Sequence, residues 1–417
     1  MEMCLGRPAV IVDPYSSGAF FAEAFQRVGV PVVAVMSAPE PPEVYASSFR
    51  PQDFAQILVA DGPDLTPLVD ELIALDPRCI LAGCESGVEL TDRVAPLVLP
   101  ELANIPEKAM ARRHKGAMAQ AVADAGIPSM RQICTDSVDE VASWLEQEGL
   151  IGEDLVIKPP KSASTDGVIK IIGGRDWREH FMTMLGSHNR LGIHNDRLMV
   201  QELLRGTEYA VDTATFRGCH TISSICRYNK VDNGPFMAIY DSMDWMPVEF
   251  PHADELKEYA GLVLDAVGVM YGTSHVEIML TENGPRLVEI GARPHGGGHP
   301  RFCRLATGDS QVDLIARSFV ANRPLHADYS LKTNVTVVFF LCRRSGVVRN
   351  RAALDRVVEL ASHHFSRIDI KQGDHLEPTK DLFASLAMGF IVLSHDDPGQ
   401  IVDDYRAIRE LEESLFD

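Results

Sequence analysis

Two glutamates and an arginine carry the strongest chemical signal in this 417-residue chain. Glu277 and Glu289 lie on two short apolar runs that predict a β-hairpin, and Arg293 follows shortly afterwards. Two carboxylates on one face repel each other unless a proton or a cation lies between them. Hard carboxylate oxygens favour Mg²⁺, which takes one or two carboxylates and completes its shell with substrate phosphates. Arg293 lies on the same side if the chain stays extended, and can face those phosphates. The alternative is a solvated hairpin with its charges outside.

The length of the hairpin loop decides whether the two carboxylates meet. A two-residue Asn283-Gly284 turn sends them to opposite faces of the hairpin. A three-residue loop over 282–284, with Gly284 in the left-handed conformation, pairs Glu277 directly with Glu289. We favour the second register because it also gathers a core-forming set on the other face: Val276, Ile278, Val288 and Ile290.

The composition predicts a globular protein of two or three domains, since 46% of the residues are hydrophobic. A net charge of −20 argues against a nucleic-acid surface, which needs a basic face. No run approaches the roughly 18 apolar residues of a membrane span, and the N-terminus lacks a secretory pattern. The eight cysteines show no Cys-x-x-Cys spacing, as is typical of buried thiols in a reducing compartment. We therefore expect a cytoplasmic protein without nucleic-acid or membrane partners.

The first hundred residues alternate between short apolar strands and helical segments. This alternation predicts a parallel sheet covered on both faces. The first turn contains no G-x-G-x-x-G, so the dinucleotide fingerprint is absent. The predicted strands are 9–13, 30–35, 57–60 and 79–82, and the predicted helices are 19–28, 64–74 and 86–95.

The middle of the chain places lysines next to a loop of small residues. Lys115 lies near the start of a helix predicted over 112–126. Lys158 lies on a strand among apolar residues and prolines, where a lysine usually needs an anionic partner. The hydroxyl-rich loop 160–167 follows, and it can lay N–H groups over phosphates and move as a lid. An ordinary hairpin loop is equally compatible with this stretch.

The order of these features resembles the ATP-grasp superfamily over about residues 105–330. It is most similar to carboxylate–amine ligases of the L-amino-acid ligase group, including dipeptide and dapdiamide-type synthetases. The resemblance implies an α/β chain with an N-terminal doubly wound, Rossmann-like domain (1–105), an ATP-grasp domain (106–330) and a C-terminal α+β domain (331–417). A mobile lid is expected over about 128–205. In the C-terminal part, strands are predicted over 334–342, 366–371 and 386–394, with helices near 351–361 and 398–414.

The resemblance also implies ATP-binding residues. Lys115 and Lys158 would hold the α- and β-phosphates. Glu208 would accept hydrogen bonds from the ribose hydroxyls. The residues expected to cover the triphosphate are Lys161, Ser162, Ser164, Thr165 and Gly167. Those expected at the adenine are Gln201, Glu202 and Leu203 at its edge and Leu204 on its ring.

For the reacting groups, the resemblance implies that Glu277 and Glu289 bind two Mg²⁺ ions, for which Mn²⁺ can substitute. Arg293 would stabilise the transferring phosphoryl group and then the tetrahedral centre. His295 and the N–H groups of Gly296, Gly297 and Gly298 would border the substrate carboxylate. His275 is either a further substrate contact or a satisfied strand histidine.

Two features depart from the family pattern or compete with it. Many members have a metal-binding Asn two residues after the second glutamate, where this chain has Gly291, opposite His275 in the favoured register. His295, His299 and Cys303 follow one another at four-residue spacing, which allows a zinc interpretation. The glycine run argues against one regular helix spanning all three.

The expected activity is ATP-dependent amide formation between an amino acid, or an amino-acid-like acid, and the amine of another, with release of ADP and phosphate. The substrates are small molecules, and the resemblance implies a homodimer. Alternatives are a biotin-carboxylase-like or purine-pathway ATP-grasp enzyme and a non-catalytic nucleotide-binding protein.

Overall fold

The computed structural model describes residues 6–162, 167–189, 192–234, 236–325 and 328–416. The first part of the chain forms a four-stranded parallel sheet in the order β3-β2-β1-β4. Helices cover both of its faces, as the alternating pattern predicted. Its elements are β1 (Ala9–Val12), α1 (Phe20–Arg27), β2 (Val32–Met36), α2 (Glu43–Ala46), β3 (Gln56–Val59), α3 (Thr66–Leu75), β4 (Cys79–Ala82) and α4 (Gly87–Val98).

A second, antiparallel sheet has the order β5-β8-β6-β7. Its apolar face packs against two helices through a cluster that includes Leu145, Ile157 and Phe181. The elements around it are α5 (Lys115–Asp124), β5 (Gln132–Thr135), α6 (Val138–Gln147), β6 (Leu155–Lys158), β7 (Ile169–Ile171), α7 (Trp177–Met184) and β8 (Leu198–Glu202). The helix predicted over 112–126 is shorter than expected, because residues 106–112 form a 3-10 helix before α5.

The largest sheet has eight strands, which lie side by side in the order β13 (Gly284–Gly291), β12 (Tyr271–Thr281), β9 (Thr207–Phe216), β10 (Cys219–Asn233), β11 (Phe236–Trp245), β14 (Asn334–Phe339), β18 (Gly389–His395) and β16 (His363–Ile368). Its long antiparallel ladder packs on α8 through Leu256, Val263 and their neighbours. The elements of its first part are β9 (Thr207–Phe216), β10 (Cys219–Asn233), β11 (Phe236–Trp245), α8 (Ala253–Ala266), β12 (Tyr271–Thr281), β13 (Gly284–Gly291), α9 (His299–Thr307) and α10 (Gln311–Ala321). None of the helices within the described ranges is long and apolar enough to cross a membrane.

The C-terminal part continues this large sheet, because β14 pairs with β11 and β18 pairs with both β14 and β16. The helix predicted near 351–361 is instead a 3-10 helix over Arg351–Glu359. A helix over 382–388 stands where a strand was predicted to begin. The elements are β14 (Asn334–Phe339), β15 (Gly346–Val347), β16 (His363–Ile368), β17 (His375–Leu376), α11 (Leu382–Met388), β18 (Gly389–His395) and α12 (Pro398–Glu413).

The glutamate hairpin has the predicted pairing but a different loop. Thr281 pairs with Gly284, so the loop has two residues, and a β-bulge between Glu277 and Ile278 restores the pairing of Glu277 with Glu289. Gly284 has the expected positive φ, +88°. The bulge skips Val288, which was wrongly assigned to the core. Leu287 takes that place instead and is only 6% exposed.

Candidate active site

The two glutamates lie side by side on β12 and β13, but they have different electrostatic surroundings. Oε1 of Glu289 lies 2.9 Å from Nζ of Lys115. Burial raises the pKa of Glu289, but Lys115 and Lys158 outweigh it, so the net pKa lies below its ordinary value. Burial raises the pKa of Glu277 to about 7, and Glu208 adds to that shift. Glu289 therefore stays ionised, whereas Glu277 needs a further positive charge to do so at neutral pH.

Two lysines approach this pair from different elements. Lys115 is the first residue of α5, where its ammonium also donates to the carbonyl of Ser162 at 3.3 Å. Lys158 is the last residue of β6 and is 7% exposed. Burial, and then the charge of Lys115, lower the pKa of Lys158 to about 8. The fold thus concentrates positive charge next to the two carboxylates.

The loop expected to cover phosphates is described only in part. Lys161 lies 3.9 Å from Glu89 of α4, and the Ser162 side chain is buried. Gly167 has a φ of +71°, which favours glycine. The predictions for Ser164 and Thr165 lie outside the described residues.

The predicted adenine linker begins at the end of β8, an inner strand of the second sheet. The Gln201 side chain donates to Gln132 across to β5. The Glu202 carboxylate accepts from both the backbone and the guanidinium of Arg131, at 2.8 and 2.9 Å. The N–H of Leu203 donates to the carbonyl of Asp154, and Leu204 is half-buried. The adenine contacts of these residues stay predictions.

Glu208, the expected ribose ligand, has a lysine partner that the sequence reading missed. Nζ of Lys230 on β10 lies 2.7 Å from Oε1 of Glu208. The same ammonium lies over the rings of Tyr240 and Tyr228, at 4.4 and 5.2 Å from their centroids. The two-residue alternation of β10, which puts Tyr228 and Lys230 on one face, was the available signal.

Arg293 joins the hairpin to the N-terminal sheet. Its Nε donates to Oε2 of Glu85 at 3.0 Å, while Arg113 lies 3.2 Å from the other oxygen of the same carboxylate. Neither Glu85 nor Arg113 was singled out from the sequence. Glu85 follows β4 at the carboxyl end of a parallel strand, where ligand sites of such sheets collect, and that position was the signal.

His275 connects Arg293 with Glu277. Nη1 of Arg293 donates to Nδ1 of His275 at 3.2 Å. Burial, and then Arg293, hold the pKa of His275 well below its ordinary value, so the ring is neutral. Its Nε2 therefore carries the proton and points at Oε1 of Glu277, 3.8 Å away. Whether His275 also contacts substrate stays a prediction.

His295 and His299 form a buried group with Asp212 of β9. Nδ1 of His295 lies 3.0 Å from one Asp212 oxygen, and Nε2 of His299 lies 3.1 Å from the other. The two rings stack face to face, 3.6 Å apart and 13° from parallel. Asp212, His295 and His299 lie close enough together to be considered as metal ligands. An ion binds an imidazole nitrogen in the plane of its ring, however, and the planes of these two stacked rings do not meet within bonding distance of both nitrogens, so the arrangement favours a hydrogen-bonded network over a metal centre. Cys303 of the zinc interpretation instead approaches the Ser223 carbonyl, at 3.8 Å.

The glycine segment after Arg293 packs against the N-terminal domain. Gly297 and Gly298 have φ values of +67° and +81°, and the N–H of Gly298 donates to Oγ of Ser17 at 3.0 Å. Both ring nitrogens of His295 are engaged by Asp212 and Tyr228. Substrate contacts by His295 and by Gly296 to Gly298 stay predictions.

Paired carboxylates on adjacent strands face two lysines beside a small antiparallel sheet, which is the arrangement of charges that the resemblance to the ATP-grasp superfamily implied. The ATP-grasp domain family matches residues 151–300, which run from β6 to the glycine segment. Residues 151–300 therefore match an ATP-grasp domain, and the resemblance drawn from the sequence is confirmed.

More particularly, the chain is similar to dapdiamide A synthase of Enterobacter agglomerans, with 27% identity over 98% of this chain and 96% of that protein. Among solved structures, the L-amino acid ligase from Bacillus licheniformis has a TM-score of 0.73 at 16% identity, covering 97% of this chain and 98% of that one. The ADP complex of N5-carboxyaminoimidazole synthetase from Staphylococcus aureus has a TM-score of 0.69 at 16% identity, covering 97% and 98%. These structural likenesses show the shared fold.

Proposed function

We propose that this protein is an ATP-dependent carboxylate–amine ligase that joins an amino acid, or an amino-acid-like acid, to the amine of a second amino acid. The observation that carries the proposal is the pairing of Glu277 with Glu289 beside Lys115 and Lys158. The similarity to dapdiamide A synthase along almost the whole chain supports an amide-forming reaction.

The carboxylates of Glu277 and Glu289 fit a divalent cation that is bound together with a nucleoside triphosphate. Two carboxylates on neighbouring strands offer hard oxygen ligands. Burial, and then the charge of Glu208, raise the pKa of Glu277, and a bound cation would relieve this cost of ionisation. Glu277 and Glu289 would hold the ion, which when bound neutralises phosphate charge and orients the terminal phosphoryl group. Gly291 offers no side-chain ligand, so we propose that the protein contributes two carboxylate groups to the coordination of the cation.

The chemistry begins from the fact that a carboxylate is a poor electrophile. Transfer of the γ-phosphoryl group of ATP to a carboxylate oxygen gives an acyl phosphate and ADP. The amine nitrogen then attacks the carbonyl carbon, phosphate leaves with the C–O bonding pair, and the nitrogen loses a proton. Lys115 and Lys158 neutralise charge spread over the transferring group.

Arg293 is placed to serve both steps, since each develops charge on oxygen. Its guanidinium is held by Glu85 on one side and His275 on the other. Because Glu85 follows β4 at the carboxyl end of the N-terminal sheet, we propose that the acid and the amine bind between that end of the sheet and the hairpin. The loop from Lys161 to Gly167 would cover the phosphates and keep water from the acyl phosphate.

The test is a phosphate-release screen of the purified protein with ATP, Mg²⁺ and pairs of amino acids, with mass spectrometry of the products. We expect ADP, phosphate and one amide product for a subset of pairs. AMP and pyrophosphate would reject the acyl-phosphate route. Tight ATP binding without ADP formation for any acid and amine would favour a non-catalytic nucleotide-binding protein.

A purine-pathway activity is the second candidate, because N5-carboxyaminoimidazole ribonucleotide synthetases share the fold over almost the whole chain. The same assay with bicarbonate and aminoimidazole ribonucleotide separates the two. Phosphate release with that pair and not with amino acids would replace the ligase proposal.

A further inference from the structure

A series of buried polar groups in contact with one another leads to Glu277. Asp212 lies on β9, Tyr228 on β10, and His295 follows the hairpin. Nδ1 of His295 lies 3.0 Å from Oδ1 of Asp212, and Nε2 lies 2.7 Å from Oη of Tyr228. Oη of Tyr228 in turn lies 3.5 Å from Oε1 of Glu277.

The direction of these hydrogen bonds follows from the chemistry of each group. Burial raises the pKa of Asp212, but His295 and His299 outweigh it and bring the net pKa below its ordinary value. An ionised carboxylate only accepts hydrogen bonds, so Nδ1 of His295 carries a proton and donates to it. Burial, and then His299, lower the pKa of His295 to about 4. The ring is neutral, and its Nε2 is an acceptor.

The Tyr228 hydroxyl has one hydrogen and two possible acceptors. The distance of 2.7 Å to His295 is the usual length of a hydroxyl hydrogen bond, whereas 3.5 Å to Glu277 is at its limit. The hydrogen therefore goes to His295. The lone pairs of Tyr228 then face the carboxylate of Glu277. Nε2–H of His275 points at that carboxylate from 3.8 Å, beyond hydrogen-bond length, so it does not supply a donor between the two oxygens.

From this polarity we infer that Asp212 and His295 are positioning residues that fix the Tyr228 oxygen as a hydrogen-bond acceptor for a water of the divalent cation at Glu277. The inference rests on the proposed cation site. Mg²⁺ usually keeps several waters, and one of them would supply the donor between Tyr228 and Glu277. Such outer contacts typically contribute about 10- to 100-fold to metal affinity or activity.

The test measures Mn²⁺ binding by electron paramagnetic resonance in the presence of a non-hydrolysable ATP analogue. Tyr228→Phe removes only the hydroxyl, and we expect it to weaken Mn²⁺ binding by about tenfold or more. Affinity for the analogue without metal should be unchanged. Asp212→Asn presents an amide donor to His295, which reverses the chain so that Tyr228 points its hydrogen at Glu277; a comparable loss is expected. Tyr329→Phe is the matched control, since that buried hydroxyl donates to the Met246 carbonyl instead.

The outcomes separate this inference from the proposed function. Absence of nucleotide-dependent Mn²⁺ binding in the unmodified protein would reject the cation site itself. Equal Mn²⁺ affinity in Tyr228→Phe and the unmodified protein would overturn the inference while the ligase proposal stands. Asp212 also accepts from His299 and Ser224, so if Asp212→Asn does not fold, as judged by thermal unfolding, Tyr228→Phe alone decides.

Discussion

The ring of His275 occupies the space into which a side chain on Gly291 would project. A Cβ atom at Gly291 would lie 2.8 Å from Nδ1 of His275 and 3.2 Å from Cζ of Arg293. His275 of β12 and Gly291 of β13 are directly paired across the two strands. The absent side chain is what lets His275 reach both Arg293 and Glu277.

Gly291→Ala should therefore displace His275 and, with it, Arg293. Displacements of about 1 Å at a reacting centre can cost about 10²-fold in rate, and we expect a loss of that order in turnover, measured as ADP release. Gly261→Ala in α8 is the control, because a Cβ there meets no atom within 4 Å. Unchanged turnover in Gly291→Ala would show that the contact with His275 has no part in catalysis.

Arg293→Ala should lower turnover by about 10²–10³-fold, the scale for losing one donor to developing oxyanion charge. The ATP dissociation constant should change little, because the lysines remain. Arg293→Lys should not restore the rate, since an ammonium cannot hold Glu85 and His275 in the same planar arrangement. Turnover and equilibrium ATP binding are measured on the same preparations, and normal turnover in Arg293→Ala would remove the residue from the mechanism.

Glu289→Gln should abolish Mg²⁺-dependent activity, because the amide lacks the charge that holds both the cation and Lys115. Chelation of divalent ions in the unmodified protein should have the same effect, reversed by added Mg²⁺. Glu282→Gln in the exposed turn of the same hairpin is the control. A fully active Glu289→Gln variant would contradict the assignment of this carboxylate as a ligand.

Lys158 predicts a pH dependence of ATP binding. Its pKa of about 8 in the free protein lies below the ordinary value of roughly 10.4, and bound phosphates should raise it. ATP then prefers the protonated lysine, so affinity is highest below pH 8 and falls by up to about tenfold per pH unit above it. The neighbouring charges are Lys115, Glu289, Glu277 and Glu208, and ionisation of Glu277 near pH 7 precedes this window.

Lys158→Arg should bind ATP with little pH dependence between pH 7 and about pH 10, because an arginine stays charged throughout. The same lowered pKa makes the stability of the folded protein depend on pH in the opposite direction to ATP affinity. The depressed pKa makes charged Lys158 unfavourable to the folded state below pH 8, and this cost disappears as pH rises toward the unfolded pKa. A pH profile identical in Lys158→Arg and the unmodified protein would rule out this lysine as its source.

Arg112 should be important for stability rather than for chemistry. Its buried guanidinium pairs with Asp92 at 2.9 Å and donates to the carbonyls of Val267 and Gly268. Arg112→Leu leaves these groups without their donor, and breaking a buried pair costs about 3–5 kcal/mol. Denaturant unfolding measures the change. Arg356→Leu, at an exposed ion pair with Glu359, should change stability by less than about 0.5 kcal/mol.

Local sequence was sufficient for much of the fold and for the central pair of the site. Apolar alternation and the turn glycine predicted that Glu277 meets Glu289, and the strand–helix alternation predicted the N-terminal parallel sheet. The bulge at Val288 was not predicted. Leu287 and Val288 are adjacent apolar residues, so a strand with the bulge and a strand without it place nearly the same number of apolar side chains in the core.

The amino-acid sequence by itself pointed to the groups that we propose to carry the chemistry: the hairpin carboxylates, the two lysines and Arg293. Only the tertiary structure decided what holds them, since Glu85 lies 208 residues from Arg293 and Asp212 lies 83 from His295. The physical reason is the separation along the chain over which each kind of signal acts. Periodicity and turn residues report the conformation of neighbouring residues, whereas these contacts exist because separate sheets and helices pack their faces together.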